Sequence, residues 1–120
     1  MAARLPARAQ QVAREFDVVW KAHQAFGSAC SSAGPLQGET RRLVKIALAV
    51  GKGAEGAVHA HVRQALAEGA APGAIRHVAI LAMPTIGFPQ SVAALSWIDD
   101  ILEASYKPAR QRRNGGARGA

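Results

Sequence analysis

Valine, isoleucine and leucine recur in this 120-residue chain at intervals of three and four, in runs parted by glycine and proline, and not in alternation. That period belongs to helices that bury one stripe, so it predicts an all-α fold. A first helix is expected over about Pro6 to Cys30, where Val12, Phe16, Val19, Trp20, His23 and Phe26 keep the spacing and Pro6 is tolerated in the first turn. Ser31, Ser32, Gly34 and Pro35 then break the chain. A second helix is expected over roughly Glu39 to Val50, with the stripe Leu43, Ile46, Ala47 and Val50 and with Glu39 suited to the positive end of the helix dipole. Gly51 and Gly53 end it. The third covers about Ala54 to Glu68 and stops at Gly69, and the fourth starts at Pro72 and carries Ile75, Val78, Ala79, Ala82 and Met83. The run from Pro84 to Pro89 is too rich in proline to continue it. A fifth helix, about Gln90 to Glu103, presents Val92, Leu95, Ile98 and Leu102. Short connections predict a helical bundle with a central antiparallel helix hairpin.

The length fits one domain. Residues 1–34 are expected to form an N-terminal helix packed on a core over 35–105, followed by a basic, disordered tail over 106–120. Only six residues are aromatic, and alanine supplies much of the apolar count. Small side chains let helices approach closely but fill little volume, so part of the apolar surface is expected to be covered by other copies of the chain.

Several function classes are disfavoured. Cys30 is the only cysteine, which excludes an internal disulfide and any intramolecular dithiol reaction. It reads as a small buried hydrophobe near a helix end, and a reducing, cytoplasmic setting fits. No apolar run reaches the roughly 18 to 20 residues that span a bilayer. The start, with Arg4, Arg8 and Arg14 before any acid, lacks the apolar centre of a secretory signal and continues directly into the helical pattern. The net charge of +7 is concentrated in Lys107, Arg110, Arg112, Arg113 and Arg118, while the rest of the chain carries ten basic and eight acidic residues. The basicity thus belongs to a Gly/Arg tail without interleaved aromatics, which does not point to specific nucleic-acid binding.

Chemistry concentrates on the third helix. Ala54, Ala57 and His61 are three and four residues apart and share one face, flanked by Val58, Val62 and Ala65, so His61 should face the core or a pocket in it. His59 lies about 160° around the axis, on an edge with Glu55 and Arg63. The two histidines diverge too far to hold one metal ion. Glu55 and His59 together fall short of a closed metal site, so they read as a solvent-facing pair, and no metal is assigned. His61 is either a hydrogen-bonded core residue or a proton shuttle whose pKa an apolar wall can tune.

The run from Leu36 to about Leu102 resembles the carboxymuconolactone decarboxylase family, which includes the alkyl hydroperoxidase D (AhpD) proteins. The matching pieces are Leu36-Gln37-Gly38-Glu39-Thr40-Arg41-Arg42-Leu43, then His61-Val62-Arg63-Gln64-Ala65-Leu66, Gly69-Ala70-Ala71-Pro72-Gly73-Ala74-Ile75 and the turn Gly87-Phe88-Pro89. Their order and spacing carry the match, which covers somewhat over half the chain. The resemblance implies an AhpD-like all-α bundle that assembles into homo-trimers or homo-hexamers.

The peroxidase branch of that family carries Cys-x-x-Cys-x-x-x-His on this helix. The corresponding positions here are Ala54, Ala57 and His61, and Arg42 stands where that branch has a glutamate. Alanine can be neither a nucleophilic nor a resolving thiol, so dithiol peroxidase activity is disfavoured. The decarboxylase branch needs neither a cysteine pair nor a cofactor, and its substrates are small, multiply carboxylated lactones. The resemblance therefore implies cofactor-independent lyase chemistry with His61 as acid/base and with Arg42, Arg63 and Thr85 contacting an anionic substrate. Two alternatives stand beside it. One is a non-catalytic oligomeric binding module that has lost the family's redox centre; the other is a redox role for Cys30 between subunits.

Overall fold

In a computed structural model, the backbone of residues 6–117 and the side chains of residues 6–105 are described. Six helices follow one another: α1 (Ala7–Glu15), α2 (Asp17–Ser32), α3 (Gly38–Lys52), α4 (Glu55–Ala67), α5 (Pro72–Ile86) and α6 (Phe88–Ala117). No strand occurs among the described residues. The all-α expectation holds. The backbone of α6 continues as helix to Ala117, past the expected end near Glu103 and into the tail expected to be disordered, whose side chains over 106–120 lie outside the described residues.

The core belongs to the last four helices. α3 packs on α4 and α5, and α6 packs on the same two. Ile46 and Val50 of α3, Val58 and Val62 of α4, Ile75 of α5 and Ile98 of α6 are fully buried. Burying a side chain of this size contributes about 1.5–3 kcal/mol, so these six positions supply a large part of what holds the four helices together. The stripe on α6 is rotated from the expected one. Val92 is 41% exposed, while Ser91, Ala94 and Ile101 are buried beside Ile98 and Leu102. A serine and an alanine on the buried line weaken the apolar signal there, which is why the sequence pattern drifts one residue.

Helix α3 ends on Gly53, whose φ of 71° is the left-handed conformation that glycine adopts without cost. A Cβ at this position would also come within 3.3 Å of Gln90 Nε2. That amide donates to the carbonyls of Val50 and Gly51, both at 3.3 Å, and so ties the start of α6 to the end of α3.

Two expected boundaries change. Residues 6–30 do not form one helix, because the chain turns at Phe16 (φ −124°, ψ 57°) without glycine or proline. Asp17 then opens α2 where a negative charge suits its dipole, and pairs with Lys21 one turn on at 3.0 Å. The helix after Pro72 also runs through Pro84 to Ile86. Pro84 and Ile80 are both exposed, so the carbonyl left without its usual donor lies on the solvent side. Pro89 falls in the first turn of α6, where no backbone donor is needed.

The first two helices contribute no buried residue. Phe16, Val19 and Phe26, the expected inner stripe, are 57%, 62% and 70% exposed. Cys30 is exposed as well, contrary to the buried position expected for it, because α2 offers no core for it to enter. No helix among the described residues is long and apolar enough to cross a membrane.

Candidate functional site

Where α2 passes over α3 and α4 it leaves a cleft of about 510 Å³. Trp20, His23 and Ser28 of α2 form one wall, and Arg41, Arg42, Lys45 and His61 form the other. The Trp20 and His23 rings lie 5.7 Å apart, tilted by 41° to one another. The end of α2 is held down by two donors from α3: Arg41 Nη1 donates to the Ser31 carbonyl at 3.2 Å and Lys45 Nζ to the Ser31 hydroxyl at 3.4 Å.

His61 is partly buried on this cleft. Burial pushes its pKa below the ordinary 6.5, and the positive charges of Lys45 and Arg42 push it further in the same direction. The imidazole therefore favours its neutral form while the cleft holds no anion. The other ionised groups that line the cleft are cations.

Those cations are not equivalent. Arg42 is committed: its Nε donates to Glu68 Oε2 at 2.9 Å and its Nη2 lies 2.7 Å from the same oxygen, with the Arg42 side chain only 12% exposed. This contact holds the Glu68 carboxyl below its ordinary range. Arg41 and Lys45 form no ion pair within 4.0 Å among the described residues, although the charge of Arg41 also acts on Glu68. Arg41 Nε is moreover buried without any hydrogen-bond partner among those residues. A buried donor left unpaired costs about 1–3 kcal/mol.

The other expected residues lie elsewhere. Thr85 borders a separate, largely apolar groove of about 500 Å³ with Leu43, Val44, His77 and Leu81. Arg63 is not among the residues lining the cleft. His59, on the opposite edge of α4, does not merely face solvent with Glu55, because its Nε2 lies 3.2 Å from Asp100 Oδ2 of α6. Arg41 and Lys45 were missed, although their signal is legible: two basic residues four apart beside Arg42 lie on one edge of α3. The pairing of His59 with Asp100 spans 41 residues and leaves no local trace.

A comparison with protein families matches residues 19–100 to the carboxymuconolactone decarboxylase family. No curated protein and no solved structure matches the chain. The match covers α3, α4 and α5 whole, with most of α2 and the first half of α6. It therefore takes in both walls of the cleft. The single cysteine agrees with a member that lacks the family's cysteine pair. The chain belongs to the carboxymuconolactone decarboxylase family.

Proposed function

We propose that the cleft binds a small polycarboxylate, of the carboxylated-lactone class, and decarboxylates it without a cofactor, with His61 as the acid/base. The observation that carries this reading is an inward-lying histidine beside Arg41 and Lys45, two cations that form no ion pair among the described residues. The substrate clamp thus passes from Arg42, already bound to Glu68, to Arg41 and Lys45.

The reaction needs few parts. The bond between the substrate carbon and its carboxylate breaks, carbon dioxide leaves, and the electron pair stays on carbon, delocalised into the rest of the substrate. A proton from the His61 imidazolium ends on that carbon, and the imidazole takes another from water. A bound dianion would offset the charges of Lys45 and Arg42, which add to burial in keeping His61 neutral. Substrate binding would thereby raise the histidine's pKa and supply the proton where it is needed. Release of carbon dioxide from carboxylated lactones and small tricarboxylates, followed in the wild type and in His61→Asn and Arg41→Ala, tests this. Turnover that survives both substitutions rejects the assignment.

We also infer that copies of the chain assemble through the apolar face shared by α3 and α5. Leu48 and Leu81 stand 68% and 62% exposed there, beside the groove that Thr85 borders. Exposed apolar surface of this kind suits a protein interface better than water. A homo-trimer or homo-hexamer is expected by light scattering at micromolar concentration, and a monomer contradicts it.

A further inference from the structure

We propose that Glu55, His59 and Asp100 form a divalent transition-metal site that clamps α4 to α6, on the edge of α4 away from the cleft. Glu55 and His59 are one helical turn apart on α4, and Asp100 reaches them from α6. One donor atom from each residue lies within 4.8 Å of the other two. The ligands thus come from two packed helices, not from one flexible stretch.

The spacing fits an ion. Nitrogen and oxygen ligands bind zinc at about 2.0–2.2 Å, and two such ligands at a tetrahedral angle stand about 3.3 Å apart. His59 Nε2 and Asp100 Oδ2 are already 3.2 Å apart as a hydrogen-bonded pair, whose shared proton the ion would replace. Glu55 is exposed, so its carboxylate can close the remaining distance by a rotamer change that displaces no packed side chain. His59 is fixed more firmly, its side chain only 20% exposed against 60% for Asp100.

Charge points the same way. Two carboxylates share this small area. The approach of one carboxylate to another is unfavourable unless a cation lies between them, and a dication removes the repulsion. The donor set narrows the choice of ion. An imidazole nitrogen with two carboxylate oxygens suits zinc, cobalt, manganese or iron(II), and not magnesium or calcium, which prefer oxygen alone. Three protein ligands leave at least one coordination position for water.

The test uses the full chain without a purification tag. Zn²⁺ is titrated by calorimetry, and Co²⁺ by its visible absorption, which strengthens when the ion is four-coordinate. The expected result is one ion per chain, with binding at least tenfold weaker in His59→Ala and in Asp100→Asn, and weakened in Glu55→Gln. Asp100→Asn and Glu55→Gln conserve shape on the surface, so they keep the test sound if His59→Ala proves unstable. Three results would overturn the site. These are no saturable binding, equal binding of Mg²⁺, or Zn²⁺ binding that survives Asp100→Asn but is lost in His23→Ala with His61→Ala.

Discussion

Two histidines stand two residues apart on α4, and the fold gives them opposite company. His61 lies on a cleft beside Arg41, Arg42 and Lys45, and its proton affinity falls. His59 lies against Asp100 with Glu55 one turn away, so its neighbours are anions. The residues are chemically identical and share one helix. Only the roughly 160° of rotation between them, with Val58 and Val62 buried between the two edges, separates the surroundings. A histidine's surroundings are thus set by which neighbouring helix its edge of α4 meets: α3 brings cations and α6 brings a carboxylate.

The sharpest way to break this contrast is to remove the imidazole on the basic side. His61→Asn keeps a polar side chain of similar reach but cannot shuttle a proton, and turnover is expected to fall about 10²–10⁴-fold. A steady-state assay on the substrate identified for the wild type measures this, and an unchanged kcat removes the acid/base role. The next effect falls on both edges together. Val62→Ala takes two methyl groups from the fully buried line that separates them, at a cost of about 2 kcal/mol read from urea denaturation. A cost near zero would mean that α4 is not held as described.

Arg41→Ala sharpens the division of labour among the cations. Loss of a charge-assisted hydrogen bond is expected to raise KM about tenfold while leaving kcat within a few-fold. Arg42→Ala should act differently, by freeing Glu68, whose carboxyl would rise towards its ordinary 4.5. Carboxyl chemical shifts followed through an acid titration report that rise. If Arg42→Ala alone raises KM, the clamp lies at Arg42 after all.

The smallest effect is on stability against pH. Above 6.5, His61 is neutral both folded and unfolded and contributes nothing. As pH falls below 6.5, the unfolded chain takes up the proton first, because burial and two cations hold the folded value down. Stability should therefore decline between 6.5 and that lowered value, and level off below it. Urea denaturation of wild type and His61→Asn at pH 7.5 and 5.5 isolates the contribution, since the variant should lose less between the two. An equal loss in both would mean that His61 keeps its ordinary proton affinity.

Much of this molecule is legible in the sequence, but unevenly. Val58, Val62 and Ala65 mark the buried face of α4 because three apolar residues at helical spacing leave little choice. The stripe of the first helix is equally regular, yet Phe16, Val19 and Phe26 stay exposed. Periodicity says that a helix has an apolar face and does not say what covers it. Cys30 is misread for the same reason. The cleft was half legible: His61 and Arg42 do border it, but the pairing of Arg42 with Glu68 joins residues 26 apart and could not be read locally. That contact changes which arginine remains available for an anion.

The central claim is that His61 rests neutral among cations and gains its proton when an anion arrives. Imidazole resonances followed by NMR through a pH titration, without and with a saturating small tricarboxylate, test it directly. The account predicts a His61 midpoint below 6.5 for the free protein and a rise on saturation that Arg41→Ala diminishes. A midpoint at or above 6.5 that the tricarboxylate leaves in place would contradict it.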